Sequence, residues 1–209
     1  MMLKDKVAVI YGAGGAVGGA VARGFAAEGA RLFLTGRHRA PVEAVAKDIV
    51  SADGSAEVAE VDVLDEQAVD RYLRYVAGQA DHIDISFDAI GIPGSQMLGV
   101  PATDLDAEAF SLPIATYTTS YFVTARLAAR HMIPNRTGVI MTVTAFPARK
   151  GTPLNGGYGA AMAAKEALTR DLSAEFARTA SACSPCGRTA WRRRARCGNS
   201  SRFAPGHRA

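Results

Sequence analysis

Residues 7–37 read VAVIYGAGGAVGGAVARGFAAEGARLFLTGR, and this stretch decides the fold. It opens with an apolar, β-branched run at 7–10 and breaks into a glycine-rich turn. An alanine-rich helical pattern follows, and a second apolar run comes at 32–34. A strand, a tight turn, a helix and a second strand in this order are typical of the first unit of a doubly wound parallel sheet. The sequence therefore predicts an α/β fold.

The glycine-rich turn after the first strand has a chemical explanation. The pyrophosphate of a dinucleotide binds backbone N–H groups at a helix N-terminus, and a Cβ at Gly12, Gly15 or Gly18 would hold it away. A tight turn that binds nothing is the alternative interpretation. The position of the turn between an apolar strand and an amphipathic helix favours nucleotide binding.

The rest of the chain alternates strands and helices in the same manner. Strands are predicted at residues 6–10, 31–35, 57–62, 83–89 and 138–144, and helices near residues 17–28, 41–52, 66–79, 106–132 and 158–177. This alternation predicts a doubly wound parallel sheet between two layers of helices. Ligands of such sheets bind beyond the carboxyl ends of the strands, so we expect the functional residues in the loops that follow strands.

The composition fits one domain with a sizeable core. The chain has 209 residues, of which 48% are hydrophobic and 21% are charged. No apolar run approaches the length of a membrane span, and no membrane partner is expected. The N-terminus, MMLKDKVAV, lacks the pattern of a signal peptide, so we expect a cytoplasmic protein.

The net charge of +4 comes from the end of the chain. Residues 179–209 hold seven Arg and no Asp, Glu, Val, Ile, Leu or Met, and without those Arg the net charge is −3. We therefore divide the chain into a dinucleotide-binding domain, residues 1–178, and an atypical basic tail, residues 179–209. The body of the chain is mildly acidic, and no nucleic-acid partner is expected.

Two explanations of this tail stay open. If the codons of residues 179–191 are read in the frame that starts at each codon's third base, they can encode a helix-end glycine, an apolar strand and a proline-containing loop. This leads to the hypothesis of a frameshift near Arg178 and of missing C-terminal strands. In the alternative, Cys183, Cys186, Cys197 and His207 form a zinc site beside a basic nucleic-acid patch. Their distal spacing matches no standard finger, and we predict no metal.

Four segments carry a resemblance to a known family. The turn YGAGGAVG spans residues 11–18, Asp62 and Val63 follow the third strand, DAIG spans residues 88–91, and Tyr158 opens a helix of small residues. In order and spacing they resemble the TGxxxGxG turn, the adenine-side pair, the NNAG segment and the active-site tyrosine of the short-chain dehydrogenase/reductase family. The resemblance covers residues 5–177. It implies a Rossmann-like fold and hydride transfer with a nicotinamide cofactor.

The resemblance also indicates cofactor-binding residues. They are Gly12, Gly15, Val17, Gly18, Arg37, Asp62, Val63, Ala89, Gly91, Tyr158 and Lys165. Where relatives that prefer NAD carry an acid, this chain has Gly36 followed by Arg37, whose guanidinium suits the 2′-phosphate of NADP(H). NADP(H) is therefore predicted over NAD(H). A solvated basic loop is the alternative interpretation of this segment.

The catalytic residues of the family are matched only in part. Its tetrad of Asn, Ser, Tyr and Lys reads here as Tyr117, Ala145, Tyr158 and Met162. Lys165, seven residues after Tyr158, falls on the same helix face. This spacing resembles the enoyl-acyl-carrier-protein reductase branch, in which the lysine holds the nicotinamide ribose. A solvated helix residue is the alternative interpretation of Lys165.

We predict Tyr158, Lys165 and Thr144 as the catalytic residues. A tyrosine with a pKa near 10 is a poor acid–base group at neutral pH, and the cation of Lys165 is expected to favour the phenolate. Thr144 could supply the missing serine hydroxyl. It precedes the serine position on an extended strand, so a bulge would be needed to turn its side chain to the site.

The predicted function is that of an NADP(H)-dependent oxidoreductase acting on a carbonyl, alcohol or enoyl group of a small molecule. A catalytically silent nucleotide-binding protein and a truncated, non-functional product are the alternatives, because three tetrad positions differ. The resemblance implies a homodimer or homotetramer built through the helices at 106–132 and 158–177. The apolar faces of these helices could equally just cover the sheet.

Overall fold

The structure, a computed structural model, describes residues 1–94 and 98–181, with side chains through residue 177. Its strands are β1 (Val7–Tyr11), β2 (Arg31–Gly36), β3 (Ser55–Glu60), β4 (Ile85–Asp88) and β5 (Val139–Thr142). Its helices are α1 (Ala16–Ala27), α2 (Arg39–Ser51), α3 (Glu66–Ala80), α4 (Ala107–Met132) and α5 (Tyr158–Ser181). The predicted alternation of strands and helices is confirmed.

The strands form one parallel, five-stranded sheet in the order β3-β2-β1-β4-β5. The chain proceeds outward from β1 to β3 and then crosses back to β4, so the direction of winding reverses between β1 and β4. Tyr11, at the end of β1, is paired with Thr35 of β2 and Asp88 of β4. Such a reversal opens a crevice at the carboxyl ends of the strands that flank it.

Two apolar layers hold the sheet. All residues of β1 are buried, and they alternate between the layers. Val7, Val9 and Tyr11 pack with residues of α3 and α4, whereas Ala8 and Ile10 pack with residues of α1 and α2. Burial of both faces explains why β1 is an unbroken apolar run in the sequence.

β3 and β5 each end two residues earlier than predicted, which moves Asp62 and Thr144 into loops. β3 ends at Glu60, so Asp62 lies in the turn that follows, where its carboxylate accepts the N–H of Leu64 at 3.0 Å. β5 ends at Thr142, so Thr144 lies beyond the paired strand. The strict alternation expected for an extended strand therefore no longer fixes the direction of the Thr144 side chain.

β5 forms one border of the sheet, since β4 is its one strand neighbour among the described residues. Its residues Val139 and Met141 are each 38% exposed, while Ile140 packs against α4 and α5. The zinc hypothesis concerns residues outside the described part of the chain, as does the frameshift hypothesis except at residues 179–181, which end α5. In the part that is described, no helix combines the length and the apolar character that crossing a membrane requires.

Candidate functional site

A cleft of about 370 Å³ opens where β1, β2 and β4 end. The glycine turn, the loops after β2, β3 and β4, and one turn of α4 form its walls. Eight of the eleven predicted cofactor-binding residues line it: Gly12, Gly15, Val17, Arg37, Asp62, Val63, Ala89 and Gly91. Segments far apart in the sequence thus meet at the crevice that the sheet topology creates.

The glycine turn brings the end of β1 close to the end of β4. Gly12 has a φ of +74°, and a Cβ there would lie 2.7 Å from the carbonyl oxygen of Ala89. Gly18 packs inside the turn and does not line the cleft. A Cβ there would overlap the carbonyl oxygen of Gly12. These two glycines therefore permit close backbone packing.

The N-terminus of α1 faces the cleft. The helix begins at Ala16, after Gly15, which has no side chain to cap the first N–H groups. Gly15, Ala16 and Val17 all line the cleft. Free N–H groups and the positive end of the helix dipole favour an anion there. Ala16 stands where the family turn has its middle glycine, so one methyl group faces this position.

The basic loop after β2 lines the cleft as well. Arg37 is exposed and lines the cleft, and among the described residues its guanidinium has no hydrogen bond or ion pair. Arg39, by contrast, is turned away and bonded to Glu43 at 2.5 Å. Asp62 is the one carboxylate among the described residues that line the cleft. The Arg37 side of the cleft thus presents an unneutralised cation.

Several lining residues were not predicted. Ile92, Pro41 and Thr116 contribute to the walls, the last of these from within α4. Their residue types carry no recognisable binding signal, and only the packing of their elements brings them to the cleft. Tyr158 and Lys165, both predicted to bind the cofactor, are not among the lining residues.

Tyr158 is the first residue of α5, and its N–H is bonded to the carbonyl oxygen of Asn155 at 3.1 Å. Its ring packs edge-to-face on Tyr117, with ring centroids 5.8 Å apart. Burial raises the pKa of the Tyr158 phenol, and the neighbouring Tyr117 raises it further. In this structure the Lys165 ammonium is paired with Asp88, and the stabilisation of a Tyr158 phenolate by Lys165 stays a prediction.

Lys165 lies in the core, and its side chain is 1% exposed. The solvated alternative for this residue is therefore wrong. Its ammonium is 3.6 Å from a carboxylate oxygen of Asp88, and it lies over the rings of Tyr117 and Tyr121, 5.5 and 5.6 Å from their centroids. Burial lowers the pKa of Lys165, although the Asp88 carboxylate opposes this effect.

Asp88, the last residue of β4, connects this buried cation to the wall of the cleft. One of its carboxylate oxygens accepts the N–H of Ile90 at 3.1 Å, and the other accepts the hydroxyl of Thr124 at 3.4 Å. Burial raises the pKa of Asp88, and Lys165 acts in the opposite direction. The pair therefore links α5, α4 and the loop that carries Ala89 and Gly91.

The serine and lysine positions of the tetrad contain no acid–base group. Met162 is buried, and Ala145 packs in the same apolar cluster as Tyr117 and Tyr158. Thr144 is exposed, and its hydroxyl donates to Glu166 at 3.5 Å, a carboxylate that also binds Arg149 at 3.0 Å. The structure brings Tyr158 and Tyr117 together, but it directs the Thr144 hydroxyl to Glu166.

Comparison with known proteins gives one consistent result. Residues 6–191 match the short chain dehydrogenase family. An uncharacterized oxidoreductase of Staphylococcus epidermidis is 28% identical over 177 residues, which are 85% of this chain and 74% of that protein. An uncharacterized oxidoreductase of Staphylococcus aureus N315 is 28% identical over 178 residues, with the same coverage of both chains.

Solved structures show the same fold. A short-chain type dehydrogenase/reductase from Mycobacterium marinum superposes with a TM-score of 0.77 at 28% identity, over 85% of this chain and 72% of the other. An NAD⁺-bound xylitol dehydrogenase gives a TM-score of 0.80 at 26% identity, over 86% and 68%. A metagenomic short-chain oxidoreductase in complex with NADP gives a TM-score of 0.77 at 24% identity, over 86% and 80%.

Proposed function

This chain belongs to the short-chain dehydrogenase family and is an oxidoreductase of that type, and we propose that it uses NADP(H) to reduce a carbonyl or enoyl group. The observation that carries the proposal is the unpaired Arg37 guanidinium at a cleft that the N-terminus of α1 also lines. A 2′-phosphate would pair with Arg37, and the pyrophosphate would face the N–H groups of α1.

The residues of the cleft fit such a cofactor. Gly12 and Gly18 let the turn close tightly, Gly15 leaves the helix N-terminus open, and Asp62 and Val63 form the wall on the side proposed for the adenine. Ala89 and Gly91 line the β4 side, where the nicotinamide half would lie. When bound, the reduced nicotinamide supplies a hydride to the substrate carbon.

Tyr158 donates the proton in this proposal. Because burial and Tyr117 raise its pKa, the phenol stays protonated at neutral pH. A protonated phenol can donate a hydrogen bond to an oxygen that gains negative charge and can then transfer its proton to that oxygen. Oxidation of an alcohol would instead need the phenolate as a base. The state of Tyr158 therefore favours the reductive direction.

Lys165 and Thr144 have supporting parts in the proposal. Lys165 neutralises Asp88 beneath the cleft wall, and Thr144 binds Glu166 on the exposed side of α5. Replacing Lys165 by Ala tests whether this residue binds the cofactor directly. A direct role predicts weaker binding of both NADPH and NADH. A structural role predicts a loss of stability instead.

A titration of NADPH by fluorescence, followed by measurement of NADPH oxidation, tests the proposed function. The substrates are a panel of ketones, aldehydes and enoyl thioesters. Saturable binding with turnover of at least one substrate is expected. Binding without any turnover would contradict the reductase proposal and favour a silent nucleotide-binding protein. The replacement of three tetrad residues by Tyr117, Ala145 and Met162 is the observation that makes this the second candidate.

Assembly, location and domain division also belong to the proposal. We propose a homodimer or homotetramer that buries faces of α4 and α5, where Phe122 of α4 is 41% exposed. We also propose a cytoplasmic location and a dinucleotide-binding domain that spans residues 1–178. Sedimentation of the purified chain tests the assembly, and a monomer at micromolar concentration would contradict it.

A further inference from the structure

The hydroxyl group of Tyr117 lies behind residues of the cleft wall, although Tyr117 itself does not line the cleft. Its oxygen accepts the N–H of Ile92 at 3.2 Å, and it lies 4.0 Å from the position that a Cβ of Gly91 would take. Gly91, Ile92 and the adjacent Thr116 all line the cleft. The hydroxyl therefore lies directly beside the wall where the nicotinamide half is proposed.

The proton of this hydroxyl has no acceptor among the described residues. Tyr117 is only 6% exposed, and its one hydrogen bond uses the oxygen as an acceptor. Donors that are buried and unpaired are rare in proteins, because leaving one unpaired is unfavourable. The hydroxyls of Tyr11 and Tyr72 are also buried without a partner, but that of Tyr117 is bonded to Ile92 of the cleft wall, so a ligand bound in the cleft can supply its acceptor.

Tyr117 and Tyr158 are held next to each other. Their rings pack edge-to-face, with centroids 5.8 Å apart and an interplanar angle of 64°. Both belong to one apolar cluster with Ile92 and Ala145. Ala145 has no hydroxyl, so the hydrogen-bonding groups of this cluster's side chains are the two phenols.

The ring of Tyr117 is held by a cation–π contact with Lys165. The ammonium of Lys165 lies over it, 5.5 Å from the ring centroid, and is itself paired with Asp88. A cation over an aromatic face stabilises the ring in place. The ring of Tyr117 is thus held in place, with its hydroxyl bonded to Ile92 of the cleft wall.

We infer that Tyr117 and Tyr158 form a two-phenol site that binds one carbonyl or oxyanion oxygen of a substrate through two O–H donors. The inference rests on the proposed reductase function and adds Tyr117 as a second donor. It also defines the substrate class, because the oxygen must have two free acceptor positions, as a ketone or a thioester carbonyl has. Two donors would stabilise developing negative charge better than Tyr158 alone.

NMR of the full chain labelled at tyrosine Cζ tests the inference without requiring turnover. The labelled protein is saturated with NADP⁺ and titrated with cyclohexanone, or with the crotonyl thioester of N-acetylcysteamine. We expect the Tyr117 and Tyr158 signals to shift together, with one dissociation constant. A shift of Tyr158 alone, or of neither tyrosine with both ligands, would overturn the inference.

Two variants sharpen the test. Tyr117→Phe keeps the ring but removes the hydroxyl, and we expect about 10- to 100-fold weaker ligand binding or slower turnover with unchanged affinity for NADPH. Tyr121→Phe is the matched control, since Tyr121 flanks the same ammonium at 5.6 Å but its hydroxyl accepts from Thr169. We expect Tyr121→Phe to bind the ligand normally.

The possible results separate three cases. Weaker NADPH binding by Tyr117→Phe with unchanged ligand affinity would overturn the inference, because the hydroxyl would then only support Ile92. Joint shifts of both tyrosines in a chain that never oxidises NADPH would support the two-phenol site and contradict the reductase function. Turnover in a chain whose Tyr117 signal does not respond to the ligand would support the reductase function and contradict the two-phenol site. The labelled wild-type chain gives its answer even if Tyr117→Phe fails to fold.

Discussion

The ammonium of Lys165 lies 3.6 Å from a carboxylate oxygen of Asp88, and both side chains are 1% exposed. Lys165 belongs to α5 and Asp88 ends β4, so a buried ion pair joins the helix that carries Tyr158 to the strand that leads into the cleft wall. Breaking such a pair leaves a charge without its partner, which is more harmful than replacing both members.

Replacing Lys165 by Met is expected to lower the free energy of unfolding by about 3–5 kcal/mol, because it leaves the Asp88 carboxyl buried alone. The pKa of Asp88, already raised by burial, should then rise further. An acid whose pKa is higher in the folded state contributes stability at low pH that is lost as the pH rises through that pKa. The variant should therefore be most stable in acid.

Urea denaturation across a pH series measures this effect. The double variant Asp88→Asn with Lys165→Met should recover most of the loss, since no charge remains buried. Exposed Lys47→Met is the control, and its expected change is within about 0.5 kcal/mol. Equal stability of the Lys165→Met variant and the wild-type chain would contradict a structural role for the Lys165–Asp88 pair.

Replacing Gly12 by Ala is expected to destabilise the fold and weaken cofactor binding. The φ of +74° costs an L-residue about 1–3 kcal/mol, and the new Cβ would also lie 2.7 Å from the Ala89 carbonyl oxygen. Thermal unfolding and NADPH titration measure the two effects. Gly24→Ala, within α1 and with no heavy atom near its Cβ position, should raise stability by up to about 1 kcal/mol.

Replacing Arg37 by Ala is expected to weaken NADPH binding about 10- to 100-fold and to leave NADH binding unchanged, because a charge-assisted pair with the 2′-phosphate is lost. Arg39→Ala is the matched control, since Arg39 is bonded to Glu43. Fluorescence titration of both cofactors gives the four affinities. Parallel losses for NADPH and NADH would show that Arg37 does not select the phosphate.

The rate of carbonyl reduction is expected to stay constant from neutral pH into the alkaline range and to fall only above the ordinary pKa of a tyrosine, because the raised pKa of Tyr158 keeps the phenol protonated. Tyr117→Phe should move this decline to lower pH, since Tyr117 raises the pKa of Tyr158. Pre-steady-state NADPH oxidation over pH 6–11 measures both curves. A rate that already falls near neutral pH would contradict a protonated donor.

The sequence predicted the fold well because strand and helix periods are local signals. Apolar runs such as β1 and the glycine turn after it depend on neighbouring residues, and the parallel sheet follows from their alternation. The cleft was also largely predictable, because parallel strands end at one edge of the sheet. Gly12, Arg37 and Asp62 meet there for that reason.

The surroundings of Tyr158 were not predictable in the same way. The spacing of Tyr158 and Lys165 correctly indicates a shared helix, but it does not reveal Asp88, which lies 77 residues before Lys165 and attracts its ammonium. Thr144 likewise binds Glu166 because β5 ends early. Which partner a long side chain reaches is decided by tertiary packing.

The glycines of the first turn have different reasons to persist over evolution. A Cβ at Gly12 or Gly18 would collide with backbone atoms of the fold itself, so both positions require glycine whether or not a ligand binds. A Cβ at Gly15 would meet only the Gly12 carbonyl oxygen, at 3.3 Å, and this position faces the cleft. A side chain at Gly15 would therefore change the cleft and leave the packing of the turn largely intact, whereas a side chain at Gly12 would disturb the fold itself.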